Sequence, residues 1–311
     1  MNDANQNYII DEDAIDLTQL MFLVLRSKFT IIIITILFSV SSVFLAIYTP
    51  DRYQSSALLQ VHSSSQGSMG SSMSSQLGGI AALAGISVNS GDSDKSYYTI
   101  ETVNSREFLK HLLTFNGVKE NLFASISYDK TNGNTVFDKK IFNNKKWVRV
   151  PFDGKKSEPS YLEVYKDYIA NLSIIKSKKS GYLKISFEHH SPIFAHNFLN
   201  LIINEINEVS KQSDIKESER ALEYLANQSK NIEQKNIKDS IKGLVDSQLE
   251  RLMLANIRDQ HLVSTIDPPF IAEENFSPSR PIIVILGTII GFFFSLLIIF
   301  LREYLSKRRA E

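Results

Sequence analysis

Residue types that could do chemistry are present in this chain, but their spacing does not assemble them. No cysteine occurs, which removes a thiol nucleophile, a thiolate metal ligand and a disulfide framework together. His189 and His190 are adjacent in a segment that reads as a strand, so their side chains leave on opposite faces and are poorly placed to share a metal. His196 opens the next helix, and all three are expected to be ordinary surface histidines. Gly154-Lys155-Lys156-Ser157 ends like a phosphate loop, but position 149, where the first glycine belongs, is Arg149. There is no G-x-S-x-G elbow. The acids of residues 205–223 are scattered around a polar helix, which fits a solvated face better than paired acid–base work. The expectation is no catalytic residue, no cofactor and no metal: a protein that is not an enzyme.

The elements around these residues are organised by two uncharged apolar stretches, 29–48 and 281–301. Each has about the 20 residues a helix needs to cross the hydrocarbon core. The first holds 13 Ile, Leu, Phe or Val residues, which favour insertion by on the order of 6 kcal/mol. A cleaved signal peptide is disfavoured, because the run exceeds a signal core and no A-x-A-like site follows. Arg26 and Lys28 precede the first stretch, and Arg302, Lys307, Arg308 and Arg309 follow the second. The positive-inside rule then places 1–28 and 302–311 in the cytoplasm and 49–280 across the membrane.

The 34 basic and 34 acidic residues balance, but not locally. Residues 101–190 carry a net +6 (16 Lys or Arg against 10 Asp or Glu) and residues 191–280 a net −4 (10 against 14). Such a dipole suits either an anionic partner or subunit contacts. The Lys-rich tracts around Lys139, Lys145, Lys155 and Lys178 form no nucleic-acid motif, and on the outer side of a membrane nucleic acid is not an expected ligand.

Ile15, Leu17, Leu20, Met21, Val24 and Leu25 keep helical spacing and suggest an interfacial helix, either a contact for a cytoplasmic partner or a plain membrane anchor. Tyr53–Val61 reads as a strand, and 63–79 as a Ser/Gly/Met loop that runs into the small apolar stretch ending at Ile86. Ser105 caps a helix with Phe108, Leu109, Leu112 and Leu113 on one face, stopped at Gly117. Asn132–Gly154 is turn-rich and holds the only tryptophan, Trp147. Pro159 starts a helix at its first turn, with Leu162, Tyr165, Ile169 and Leu172 on one side. Leu172–Lys176 and Tyr182–Glu188 form a hairpin.

After Ser191-Pro192, the steps Phe194, Phe198, Ile202, Ile206 and Val209 mark a core-facing helix that continues to about Lys230. A break near Asn231–Asn236 precedes a second amphipathic helix from Ile237 to Ile257. Together they read as an antiparallel arm over 191–262, beside an α/β base over 49–190. A return over 263–280 is stiffened by Pro268, Pro269, Pro278 and, at the membrane entry, Pro281. In the second span Gly287, Gly291 and Ser295 fall on four-residue steps, a surface on which another helix can approach closely: the first span or a second subunit.

Ile15-Asp16-Leu17-Thr18-Gln19-Leu20 before the first span, the strand after Pro50, the passage Phe187–Asn204, and Ile266-Asp267-Pro268-Pro269-Phe270 through Ser277-Pro278-Ser279-Arg280-Pro281 into Gly287 together resemble the Wzz-type chain-length determinants, the polysaccharide co-polymerases of bacterial inner membranes. The resemblance implies an α+β membrane protein, with two transmembrane helices flanking a periplasmic domain built of a small α/β base and a long projecting helical arm. It implies a homo-oligomeric ring that works with a membrane polysaccharide polymerase on a growing, lipid-linked glycan. Its role would be to set the length of O-antigen or a related polymer, without enzymatic activity. Ten residues follow Leu301, so the kinase domain of one family branch is not expected in this chain. The loop with Gly78-Gly79-Ile80-Ala81-Ala82-Leu83-Ala84-Gly85 is similar to longer exporter-type members, which keeps open an alternative: a structural adaptor for capsule or exopolysaccharide export.

Overall fold

The computed structural model describes residues 25–62, 92–151, 156–230 and 235–310. The expected helix over Ile15–Val24, the loop 63–79 with its continuation to Ile86, Gly154 with Lys155, and a helix break at 231–234 lie outside the described residues. The chain forms two compact units: residues to Pro50 with those from Pro278, and Asp51–Ser277.

The second unit is built on a four-stranded antiparallel sheet in the order β6 (Leu172–Lys176), β7 (Leu183–His189), β1 (Tyr53–Val61), β8 (Val263–Asp267). Period-two alternation makes one face of it apolar. Tyr53, Ser55, Ala57 and Leu59 of β1 are buried, and stand opposite His189, Phe187, Ile185 and Leu183 of β7. Onto this face packs α6 (Pro192–Ser229), through Phe198, Leu199, Ile202 and Ile206. The rings of Phe187 and Phe198 meet edge-on at 4.8 Å. Two short helices, α3 (Arg106–Leu112) and α4 (Val118–Ala124), and two longer ones, α2 (Asp92–Val103) and α5 (Tyr161–Asn171), close the core. Tyr168 of α5 is fully buried, and its hydroxyl donates to the Val103 carbonyl at 2.8 Å.

Several elements differ from the expected ones. Ser105 does cap a helix, accepting from Phe108 N–H at 3.1 Å, but α3 ends at Leu112. Gly117, at φ +80°, is the N-cap of a further helix, α4. The cap of α5 is Ser160, in a reciprocal capping box with Glu163, and Pro159 lies just outside. Its buried face is Val164 and Tyr168, while Leu162 is 46 % exposed and Leu172 already belongs to β6. The turn-rich stretch holds two small hairpins: β2 (Ser125–Asp129) with β3 (Asn134–Phe137), and β4 (Phe142–Asn143) with β5 (Lys146–Trp147). The second turns through Asn144 and Lys145, both left-handed, so that Phe142 and Trp147 face each other with rings 5.0 Å apart.

The division between base and arm also differs. The first turns of α6, to Ile206, are part of the base core, and the helix then continues for 38 residues in all, about 57 Å. Helix α7 (Lys235–Ile257) returns antiparallel beside it: Leu225 meets Ile241 and Leu244, and Asp214 meets Arg251 further down. The segment after the arm begins with β8, which completes the base sheet before the prolines.

The first unit is a pair of helices, α1 (Lys28–Tyr48) and α8 (Arg280–Ala310). Helix α8 runs nine residues past Leu301, where the sequence suggests a tail. Helix α1 and residues 280–302 of α8 are each long and apolar enough to cross a membrane.

Candidate functional site

The expected site residues on α8 face α1. A methyl group added at Gly287 would lie 2.5 Å from Ser42 Cβ, and one added at Gly291 would lie 2.5 Å from Phe38 Cβ and 3.5 Å from Thr35 Cα. Both glycines therefore permit an approach that any side chain would block. The four-residue steps continue through Ser295, fully buried with its hydroxyl bonded back to the Phe292 carbonyl at 2.6 Å, to buried Ile299. Ser42 Oγ donates to the Ile283 carbonyl at 2.7 Å, a hydrogen bond between helices. The rings of Phe38 and Phe294 lie 5.3 Å apart. As α8 advances from Ile283 to Phe294, its partners on α1 run backwards from Ser42 to Thr35, so the helices are antiparallel. Sequence reasoning missed Thr35, Phe38 and Ser42; their three- and four-residue spacing was a signal, but the large Phe38 among them hid a close-packing face.

The prolines take four different positions. Pro268 is exposed just after β8, Pro269 is buried, Pro278 is half-buried and Pro281 is exposed in the first turn of α8. Ser279 caps that helix, its carbonyl accepting from Ile282 and Ile283 N–H. Between the proline pairs the chain is fastened to Arg52, just before β1: Arg52 N–H donates to the Ser277 carbonyl, and Phe276 N–H to the Arg52 carbonyl, each at 2.8 Å. The Arg52 guanidinium bonds Asn171 Oδ1 at 2.6 Å.

The histidines correct one expectation. His189 is 4 % exposed and held on both ring nitrogens. Its Nδ1 accepts from Ser191 N–H at 3.0 Å, so Nε2 carries the proton and donates to the Asn121 carbonyl at 2.9 Å. Burial lowers its pKa to about 4, against smaller opposing effects of these hydrogen bonds. Ser125 Oγ lies 2.8 Å from the same Nε2. That pair is no nucleophile and base: the nitrogen facing the serine holds a proton, and Nδ1 faces an amide where a triad needs a carboxylate. His190 is half-buried, with Nδ1 3.2 Å from the Asp51 carbonyl, and His196 bonds Asn197 and Asn200 on its own helix. Among the described residues no three His, Asp or Glu side chains could hold a metal.

The arm carries a charged cluster between its helices. Arg251 reaches Asp214 at 2.6 Å and Glu217 at 3.1 Å, and His261 Nε2 lies 2.6 Å from the other Asp214 oxygen. Burial pushes the Asp214 carboxyl up, but the His261 hydrogen bond and the Arg251 charge outweigh it and hold the pKa below the usual range. Arg251, Asp214 and Glu217 are partnered within the cluster, and His261 through Nε2, while its buried Nδ1 has no hydrogen-bond partner among the described residues; the cluster pairs no nucleophile with a base. What the arrangement provides is structural: two close-packed apolar helices, a base with one packed core, and a long helical arm.

Residues 13–114 match the family model described as "Wzz: Chain length determinant protein". The match covers about a third of the chain and runs through α1, β1, α2 and α3. Among solved structures, a full-length bacterial polysaccharide co-polymerase is 13 % identical, with TM-score 0.43, covering 95 % of this chain and 100 % of its own. A fragment of WzzB, a polysaccharide co-polymerase from Salmonella Typhimurium, is also 13 % identical, with TM-score 0.29, covering 73 % of this chain and 100 % of its own. Neither likeness is close enough to carry fold or function across. No curated protein matches the chain.

Proposed function

We propose that this chain, whose residues 13–114 match the Wzz chain length determinant model, regulates the length of a bacterial surface polysaccharide. The family match is the observation that carries this reading; it spans the first apolar helix and the first strand of the base, the passage where membrane and outer domain join. In this reading α1 and α8 anchor the protein in the inner membrane. The basic flanks Arg26, Lys28 and Arg302 keep both termini in the cytoplasm and 49–280 in the periplasm. The protein acts without catalysis: copies of the chain assemble, their arms side by side, as a scaffold for a membrane polymerase and its lipid-linked glycan, of the O-antigen class or a related polymer.

The test is deletion of the gene and comparison of extracted surface polysaccharide with the parent strain on a silver-stained gel. Collapse of a clustered modal length into a broad, short-weighted ladder is the expected result. Complete loss of surface polymer, with material retained inside, would instead identify an export adaptor. An unchanged ladder would remove both roles.

A further inference from the structure

Three large apolar side chains of the Asp51–Ser277 unit sit together in one short loop after β8: Phe270, Ile271 and Phe276 are 51 %, 50 % and 54 % exposed. The loop is fastened at both ends. Ser55 Oγ donates to the Phe270 carbonyl at 2.7 Å, and Phe276 N–H donates to the Arg52 carbonyl at 2.8 Å. Buried Pro269 restricts the backbone just before it. The backbone that carries these side chains is thus tied at Phe270 to Ser55 of β1 and at Phe276 to Arg52.

The Arg52–Ser277 bridge also brings together the two points at which the chain leaves this unit. Arg52 stands four residues after Tyr48, the end of α1, and Phe276 stands four residues before Arg280, the start of α8. Four residues span at most about 14 Å. Phe276 is tethered this closely to α8, and Phe270 is bonded to Ser55, seven residues after the end of α1. Side chains so placed have a lipid surface within reach, and aromatic ones at that depth are favoured.

The geometry points to Phe270, Ile271 and Phe276 as a membrane-interface anchor that inserts into the headgroup–acyl boundary of the bilayer crossed by α1 and α8. This rests on reading those helices as spans. Glu273 and Glu274 lie exposed between the three apolar residues. The contact is therefore hydrophobic and gains nothing from anionic lipid.

The chain has no cysteine, so single-cysteine variants of the full-length protein can be labelled without background. Phe270→Cys, Ile271→Cys and Phe276→Cys would carry a nitroxide in phosphatidylcholine vesicles, with and without phosphatidylglycerol. Accessibility to oxygen and to a water-soluble nickel chelate reads depth. Leu297→Cys on α8 and Ile257→Cys at the end of α7 serve as lipid and water references. The expected result is oxygen accessibility several-fold above that of the chelate at all three positions, independent of phosphatidylglycerol. Chelate accessibility equal to that at Ile257→Cys, with Leu297→Cys still in lipid, would overturn the anchor and leave the spans standing. Exclusion of both reagents would also overturn it, in favour of a protein contact. A water-exposed Leu297→Cys would instead overturn the spanning reading itself.

Discussion

The side-chain amide of Asn207 takes both backbone hydrogen bonds of Val263: Oδ1 accepts its N–H at 2.9 Å, and Nδ2 donates to its carbonyl at 3.1 Å. The same Oδ1 accepts from Leu262 N–H at 2.8 Å, and Nδ2 also donates to Ile203 on its own helix. Asn207 thus stands in for a fifth strand at the open edge of β8 and locks the arm's return to the base sheet. Asn207→Leu leaves two buried N–H groups without an acceptor, at about 1–3 kcal/mol each. The expected outcome is a loss of about 2–6 kcal/mol, with fast amide exchange at Leu262 and Val263. Asn207→Asp keeps the acceptor and should exchange more slowly there than the leucine variant. Equal protection in all three proteins would show that β8 holds without this residue.

His189 makes the base sensitive to acid. Its folded pKa is about 4, against about 6.5 unfolded, so the folded state binds fewer protons between those values. Stability contributed by the neutral ring is complete above pH 6.5 and is lost as pH falls towards 4, by up to about 3 kcal/mol. The neighbouring His190 and Arg52 push in the same direction as burial. Denaturant unfolding at pH 7 and pH 4.5 should show the drop in the parent and a shallower one in His189→Gln. Parallel drops in the two would assign the acid sensitivity elsewhere.

The sequence made some of this legible and hid the rest for definite reasons. The regular steps Phe198, Ile202 and Ile206 mark α6, because one continuous face of this helix packs into the base core. The β6–β7 hairpin was visible in alternation and in Gly181, whose φ of +75° a turn requires. Strand β8 was not visible, because five residues beside two prolines carry a weak pattern, and its partners Asn207 and β1 lie far away in sequence. His189 read as a surface residue because its burial comes from α4 and β2, through Asn121 and Ser125. The spacing of Gly287 and Gly291 names no partner; that they lie against Ser42 and Phe38 of α1 is set by packing and not by composition.

Asp214 ties the two arm helices to His261, and its lowered pKa fixes the sign of its contribution. The carboxylate stabilises the fold above the usual carboxyl range, and this is lost as pH falls through the folded pKa. Arg251→Met removes its strongest cationic partner. Arg251 is 36 % and Asp214 20 % exposed, so water screens the pair and the expected loss is about 1–2 kcal/mol, below that of a fully buried pair. Asp214→Asn should cost a similar amount, and the double variant less than the sum. Strict additivity in this cycle would mean that the two side chains do not act as a pair.

The helix pair gives the sharpest separation between neighbouring substitutions. Ser42→Ala removes one interhelical hydrogen bond and should cost only about 0.6 kcal/mol. Gly287→Leu and Gly291→Leu must move Ser42 or Phe38, because even the first added carbon falls 2.5 Å from them. Overpacking of this kind costs about 1–3 kcal/mol, so both leucine variants should melt well below the serine variant in detergent. Gly243→Leu, on α7 with open space around it, is the matched control and should leave the melt nearly unchanged, apart from its own helix preference. In cells, the two α8 variants should shift the polymer length distribution if the spacing of the spans sets how copies assemble. A normal distribution beside a lowered melting temperature would confine the seam to stability. A parental melting temperature for both leucine variants would show that α1 and α8 do not pack through these glycines.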